Sequence, residues 1–121
     1  GCLNVESISL QGCPQISGEI VDTLNKNFRR LIHLNLQQCK NVRTPCLQQV
    51  FCHHALRSLN LAFVDDVSDE TFSLLPYPAE TSNVKMGTLK SSIRALNLCR
   101  SKITDFTIYK LLNLQDLEEI H

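Results

Sequence analysis

The sequence lacks the features that mark nucleic-acid-binding, membrane-spanning and exported chains. Its 12 Lys and Arg residues are balanced by 12 Asp and Glu residues, so there is no basic excess for nucleic acid or a membrane surface. No apolar run approaches the roughly 18 residues of a membrane-spanning helix. The chain opens without a signal peptide and contains no Asn-x-Ser/Thr acceptor for N-glycosylation. These absences predict an intracellular protein, cytoplasmic or nuclear, that binds neither nucleic acid nor membranes.

Sequence motifs of common enzyme classes are also missing. There is no Gly-rich phosphate-binding loop, no H-E-x-x-H and no G-x-S-x-G. The acidic pairs Asp65–Asp66 and Asp69–Glu70 fall where a turn and a helix start are expected, and carboxylates suit the positive end of a helix dipole. The sequence therefore predicts a protein that is not an enzyme and uses no cofactor.

Six cysteines and four histidines are the reactive side chains that need an explanation. Cys39, Cys46, Cys52, His53 and His54 lie within sixteen residues, but they include no C-x-x-C pair of the kind typical of zinc sites. An even number of cysteines in a short chain also fits a disulfide scaffold. Because the chain has enough Leu, Ile, Val and Phe for a core and lacks secretory features, we expect reduced thiols and no bound metal.

One hydrophobic pattern, L-x-x-L-x-L, recurs along the chain. Its anchors are Val5, Ile8 and Leu10; Leu31, Leu34 and Leu36; Leu56, Leu59 and Leu61; and Ile93, Leu96 and Leu98. A fifth copy begins at Leu117 and Ile120. The first anchors are 26, 25, 37 and 24 residues apart, so three steps agree and one unit carries an insertion. The alternation of apolar and polar residues predicts a short β-strand in each copy.

A helix is predicted after each strand. Apolar spacings of three and four, which indicate one buried helix face, occur at Ile20, Val21, Leu24 and Phe28; Leu47, Val50 and Phe51; Phe72 and Leu75; and Phe106, Ile108, Leu111 and Leu112. Their N-cap candidates are Ser17, Thr44, Ser68 and Thr104, and Pro45 is expected to be the first helical residue after Thr44. A single strand–helix unit cannot bury its apolar face, so stacked units should form a parallel sheet with an outer layer of helices.

These repeats resemble cysteine-containing leucine-rich repeats. The segment Leu31–Cys39 matches the family pattern L-x-x-L-x-L-x-x-C in full, and Ile103–Asp105 matches its Ile-Thr-Asp turn. Val5–Cys13 matches with β-branched residues at two anchors, whereas Val64 and Ser101 replace the cysteine of the last two repeats. The resemblance implies an α/β leucine-rich repeat solenoid. Such a solenoid is a right-handed βα superhelix with its parallel sheet on the concave face and its helices on the convex face.

We expect one domain, 1–121, of about four repeats with partial repeats at its ends. The repeats are 5–30, 31–55, 56–92, 93–116 and a partial 117–121. Prolines, a glycine and Ser/Thr residues predict an irregular loop over the insertion at 76–92, which is either functional or merely tolerated. Solenoids normally end in atypical capping repeats. Neither end of the sequence shows one, so we expect a piece of a longer solenoid.

The residues between the anchors predict a binding surface, because alternate side chains of a strand point away from the core. The candidate protein-binding residues of the concave face and its rim are Ser9, Gln11, His33, Asn35, Gln37, Ser58, Asn60, Phe63, Asn97 and Arg100. Two questions about these residues stay open. The polar side chains either contact a partner or only keep the sheet soluble, and Phe63 either anchors an interface or lies under the insertion.

The family resemblance suggests a role in protein recognition. Cysteine-type repeats resemble those of F-box proteins, where they hold substrates for cullin-type ubiquitin ligases. We therefore expect a protein–protein interaction scaffold whose partner is a ubiquitination substrate, and which reaches a cullin-ligase adaptor through an F-box outside these residues. The alternatives are a leucine-rich repeat scaffold unrelated to ubiquitin transfer and a purely structural segment of a larger repeat protein.

Overall fold

The computed structural model describes residues 4–13, 15–51, 53, 55–73, 92–112, 114 and 117–121, and its architecture is α/β. Five short strands alternate with helical segments along the chain. The strands are β1 (Ser7–Ser9), β2 (His33–Asn35), β3 (Ser58–Asn60), β4 (Ala95–Asn97) and β5 (Glu119–Ile120). The helical segments are α1 (Gly18–Asn27), α2 (Thr44–Phe51), a 3-10 helix (Asp69–Phe72) and α3 (Asp105–Leu111).

The five strands form one parallel sheet in sequential order, β1-β2-β3-β4-β5. Its register aligns the repeats residue for residue, so that Ile8, Leu34, Leu59, Leu96 and Ile120 form one row across the sheet. Each strand therefore begins at the equivalent position of its repeat, including the repeat that carries the insertion. The predicted parallel sheet and α/β architecture are confirmed, and the insertion itself lies outside the described residues except for Ser92.

The repeated anchors build the core. Leu31, Leu34 and Leu36 are buried, and so are their equivalents in the next repeat. Burying each such leucine contributes about 1.5–3 kcal/mol. Ile8 and Leu10 are only partly buried, because β1 is an edge strand with a neighbouring strand on one side alone. The helical segments pack against one another in chain order, from α1 through α2 and the 3-10 helix to α3.

The first two helices follow the predicted pattern with small differences. Ser17 has the extended backbone of an N-cap, and α1 buries Val21 while Ile20 is 42% exposed. Thr44 was expected to cap α2 from outside, but it is the first helical residue, so α2 begins one residue earlier than predicted. The carbonyl of Arg43 accepts hydrogen bonds from the amides of Cys46 and Leu47 in the first turn of this helix.

The third predicted helix is instead a single 3-10 turn within the described residues. Ser68 stands at the N-cap as expected, and its amide donates to the Thr71 hydroxyl at 3.1 Å. This 3-10 helix ends at Phe72, and Leu75 of the predicted helix lies outside the described residues. Pro76 follows closely in the sequence and has no amide hydrogen to donate to the Phe72 carbonyl, so an α-helix could not continue through it unbroken.

Asp69 joins this 3-10 turn to the following helix. Its carboxylate accepts hydrogen bonds from the Thr104 hydroxyl at 2.6 Å, the Thr107 hydroxyl at 2.5 Å and the Thr104 amide at 2.8 Å. These hydrogen bonds, the Thr104 hydroxyl foremost, hold the pKa of Asp69 below its ordinary value. The carboxylate thus caps the start of α3 from the preceding repeat.

The buried face of α3 differs from the prediction. Thr107, Lys110 and Leu111 are buried, whereas Phe106 and Leu112, both expected in the core, are 49% and 66% exposed. Lys110 can be buried because its ammonium donates to the Ser73 carbonyl at 3.2 Å and lies 4.9 Å from the centre of the Phe106 ring. Burial lowers the pKa of Lys110, and the nearby Asp69 charge opposes this shift. None of the helices within the described ranges is long and apolar enough to cross a membrane.

Candidate functional site

One face of the sheet carries polar side chains in straight rows. The row before the central apolar residues contains Ser7, His33, Ser58, Ala95 and Glu119, and the row after them contains Ser9, Asn35, Asn60 and Asn97. We call these two rows the polar sheet face. None of its side chains is buried, although parallel sheets are generally covered on both faces. The face brings together six predicted binding residues: Ser9, His33, Asn35, Ser58, Asn60 and Asn97.

The asparagine row also has a structural task that the sequence did not reveal. Each asparagine accepts a hydrogen bond at its Oδ1 from the amide two residues further along the chain, at 3.0 Å. The donor–acceptor pairs are Gln37 with Asn35, Ala62 with Asn60, and Cys99 with Asn97. These amides leave the strand at the turn, where the ladder no longer supplies a partner. The asparagines therefore stabilise the turn that ends each strand.

Two of the three asparagines also link neighbouring repeats. The Asn35 Nδ2 donates to Gln11 Oε1 at 3.3 Å, and the Asn60 Nδ2 donates to Gln37 Oε1 at 3.1 Å. The equivalent of these glutamines in the third repeat is Ala62, which has no side-chain acceptor. Among the described residues, no acceptor pairs with the Nδ2 of Asn97. The predicted binding residues Gln11 and Gln37 thus lie beside the polar sheet face and bind its asparagines.

The turn after each strand places one residue in the left-handed backbone region. Gly12 has φ 72°, and the equivalent residues Gln38, Phe63 and Arg100 have φ 63°, 61° and 65°. Only glycine adopts this region without a penalty, which for other residues is roughly 1–2 kcal/mol. Phe63 is 40% exposed and Arg100 is exposed. The predicted rim residues therefore project from strained turns at the carboxyl ends of the strands.

A second feature, at the amino ends of the strands, was not predicted. Arg57 and Arg94 precede β3 and β4 at equivalent positions, and the Arg94 amide donates to the Arg57 carbonyl at 2.8 Å. Arg29 and Arg30 occupy the turn before β2. A groove of about 320 Å³ lies here, lined by Glu6, Arg29, Arg30, Ile32, Ala55 and Arg57. The sequence contains one signal for this row of arginines: the residue directly after the first anchor is arginine in two successive repeats, at Arg57 and Arg94.

The cysteines and histidine that suggested a metal site face separate backbone carbonyls. The Cys39 thiol donates to the Leu10 carbonyl at 3.0 Å, and the Cys46 thiol donates to the Gly18 carbonyl at 3.2 Å. The His53 Nδ1 accepts from the Ala55 amide at 3.1 Å, so its Nε2 carries the hydrogen that is directed at the Phe28 carbonyl, at 2.9 Å. Each of the three side chains therefore bonds to a carbonyl of the preceding repeat, and the three carbonyls belong to different residues.

The chemistry of these thiols follows from their burial. Burial raises the pKa of the Cys39 thiol and of the Cys46 thiol, so both stay protonated at neutral pH and serve as hydrogen-bond donors. Cys13, Cys39, Cys46 and Cys99 are free cysteines, and Cys52 and His54 lie outside the described residues. The described residues contain no group of three or more His, Cys, Asp or Glu side chains arranged to hold a metal ion.

Comparisons with known proteins do not assign this chain to a family. Its sequence matches no protein-family model and no curated protein.

Proposed function

We propose that the chain is a leucine-rich repeat solenoid that recognises another protein with its polar sheet face as the concave surface. The observation that carries this proposal is the accessibility of that face. Parallel sheets generally have both faces covered. Here the helical segments share one core with the buried anchors of the strands, and the other face presents rows of half-buried and exposed side chains that are polar except for Ala95. A solenoid explains this arrangement, because stacked repeats need only one covered face to bury a continuous core.

The residues of the polar sheet face do not contribute equally to this proposal. The asparagines stabilise their own turns through Oδ1, so a partner meets a face that is already rigid and hydrogen-bonded. His33 and Ser58 are neighbours in the register, and no side-chain hydrogen bond occupies them within the described part of the chain. These two side chains are available to a partner, and so are Ser9 at the edge, the Nδ2 of Asn97, and Phe63 and Arg100 at the rim.

The resemblance to cysteine-containing repeats extends the proposal to the substrate-recognition part of an F-box/leucine-rich-repeat ubiquitin ligase component. In that role the chain is not an enzyme, works in the cytoplasm or nucleus, and holds a ubiquitination substrate while an F-box elsewhere binds the cullin-ligase adaptor. A binding or regulatory scaffold unrelated to ubiquitin transfer is the first alternative. A purely structural repeat segment is the second.

A double variant of the polar sheet face tests the proposal. His33→Glu with Ser58→Glu places two charges on the face, and Gln15→Glu with Gln49→Glu places the same two charges at exposed positions of a turn and of α2. The control should keep the urea unfolding midpoint of the parent, and the face variant should unfold in one cooperative transition at a modestly lower midpoint, because its two carboxylates are neighbours in the register and repel each other. In quantitative affinity purification of the full-length protein, the face variant should lose a set of proteins that the control retains.

The ligase role predicts a second result of the same affinity purification. Cullin-ligase subunits should co-purify with the parent and with both variants, because adaptor binding does not use the polar sheet face. Without those subunits the scaffold alternative replaces the ligase role. If the face variant and the control recover identical proteins, the face is not a binding surface and the structural alternative stands.

A further inference from the structure

We propose that the arginine-lined groove at the amino ends of the strands binds a short acidic segment of the protein partner. This inference rests on the proposed function and specifies the chemistry of what is recognised. The groove opens between the turns that lead into β2 and β3, with Ile32 and Ala55 as its apolar lining residues and Arg29, Arg30 and Arg57 as its cationic ones. Arg94 continues the cationic row on the next strand.

The concentration of charge at this edge is the first argument. The whole chain has no net charge and six arginines, yet Arg29, Arg30, Arg57 and Arg94 all lie here. Arg57 and Arg94 occupy equivalent positions directly before two adjacent strands, where their like charges repel each other. An external anion would remove this repulsion. Arginine suits such a role because its planar guanidinium binds a carboxylate with two parallel hydrogen bonds.

The unused hydrogen-bond donors are the second argument. The Arg57 Nη1 donates to the Ala55 carbonyl at 3.2 Å, which holds the side chain at the groove and leaves most of its five N–H groups without an acceptor among the described residues. No carboxylate of the described residues lies at salt-bridge distance from any of the four arginines. The salt bridges of the described residues join Lys26 to Asp22 and His121 to Glu119.

The extent of the positive region determines the kind of ligand. Glu6 lines the groove at its β1 end, and Glu118 and Glu119 follow beyond Arg94 at the β5 side. The positive region therefore spans about two to three strand spacings, roughly 10–15 Å, which an extended peptide crosses with about three or four residues. A long polyanion such as duplex DNA would meet carboxylates on both sides. A local cluster of Asp or Glu side chains fits between them.

Direct binding of defined peptides to the chain tests this inference. The probe is a fluorescein-labelled peptide with four consecutive glutamates flanked by Gly and Ser, about four residues matching the span of the groove, and binding is followed by fluorescence anisotropy. The matched probe carries glutamines instead. The glutamate peptide should bind, and raising NaCl from about 0.05 M to about 0.5 M should weaken it, because the Debye length shortens about threefold. The glutamine peptide should not bind.

Charge variants locate the site. Arg30→Gln with Arg57→Gln should weaken glutamate-peptide binding by about tenfold, and Arg94→Gln, at an exposed side chain, should weaken it by about threefold. Arg43→Gln removes an exposed arginine outside the groove and should change nothing. Glu6→Gln should strengthen binding, because it removes a like charge beside the peptide. Urea unfolding midpoints equal to the parent's identify folded variants, and Arg94→Gln supplies the test if the double variant does not fold.

Several results would overturn the inference. Equal binding of both peptides, equal loss in Arg43→Gln, or tighter arginine-dependent binding of a short DNA duplex would each do so. These outcomes are distinguishable from failure of the proposed function. If the peptide fails to bind while the His33→Glu/Ser58→Glu variant still loses partners, only the groove assignment is wrong. If the peptide binds but that variant loses no partner, the polar sheet face is wrong and the groove stands.

Discussion

Replacing the three asparagines of the polar sheet face with alanine, one at a time, should destabilise the protein by clearly different amounts. Asn60→Ala removes two hydrogen bonds, to the Ala62 amide and to Gln37 Oε1. Each contributes about 1 kcal/mol net, and an amide left unpaired in a buried place adds about 1–2 kcal/mol more. Since Ala62 is buried, the expected loss of unfolding free energy is about 3 kcal/mol.

The other two positions should cost less, for reasons visible in the structure. Asn35→Ala also removes two hydrogen bonds, but the Gln37 amide it leaves unpaired belongs to a half-buried residue, so we expect about 2 kcal/mol. Asn97→Ala removes only the bond to the amide of Cys99, an exposed residue whose amide water can reach. The expected cost there is about 0.5–1 kcal/mol.

Two further variants separate the functions of one asparagine. Asn60→Asp keeps the acceptor for the Ala62 amide and loses the donor to Gln37, and Gln37→Ala removes that contact from the other side. A double-mutant cycle between Gln37 and Asn60 should give a coupling of about 0.5–1 kcal/mol. Urea unfolding followed by circular dichroism measures all of these, with an unchanged dependence on urea concentration as the sign that only stability has changed.

The loss of unfolding free energy should be largest at Asn60, intermediate at Asn35 and smallest at Asn97. Three equal losses would mean that the asparagines act only as solvated polar residues, and a largest loss at Asn97 would refute the assignment of stability to the buried Ala62 amide. Zero coupling between Gln37 and Asn60 would show that the link between repeats contributes nothing in solution.

Further predictions concern the turns, the Asp69 carboxylate and the thiols. Gln38→Gly should raise the unfolding free energy by about 1 kcal/mol and Gly12→Ala should lower it by a similar amount, because both residues have positive φ; equal effects of both in urea unfolding would contradict this. Asp69→Asn should destabilise the protein at neutral pH. The folded pKa of Asp69 lies below its ordinary value of about 3.9, so the stability that the carboxylate contributes is full above that value and is lost as pH falls through the folded pKa. The urea midpoints of parent and variant should therefore converge in acid. A constant difference between the two midpoints would refute this role of the carboxylate. In variants that keep one cysteine each, exposed Cys99 should react with a chromogenic disulfide reagent faster than buried Cys39; equal reaction rates in the native state would count against the buried hydrogen bond from the Cys39 thiol to the Leu10 carbonyl. Because burial raises the pKa of Cys39, the stability that this protonated thiol contributes should be lost as pH rises above the pKa of the unfolded thiol.

The sequence alone determined the repeating parts of this protein. The anchors at Leu31, Leu34 and Leu36 predict a strand with one buried side because side chains alternate along a strand, and the structure places all three in the core. Ser17 and Thr104 predict helix starts because the residue before a helix adopts an extended backbone, and both residues have it in the structure, although neither side chain bonds to its own helix. These effects are local in the chain, so a single sequence contains them. The equal spacing of the repeats then predicts a parallel sheet, since equivalent strands must pair with one another.

Only the tertiary structure decided what each side chain meets across the repeats. Asn60 looked like a free polar residue until the register placed it beside Gln37. Asp69 was expected only at the helix start of its own repeat, but its carboxylate also caps a helix of the next repeat. Phe106, which was expected in the core, is exposed, and Lys110 is buried instead, because the Ser73 carbonyl at the end of the 3-10 helix accepts a hydrogen bond from its ammonium. The row of arginines likewise exists only once the strands are side by side. Cross-repeat contacts join residues about one repeat apart in the chain, and their geometry depends on the stacking of units, which no local pattern specifies.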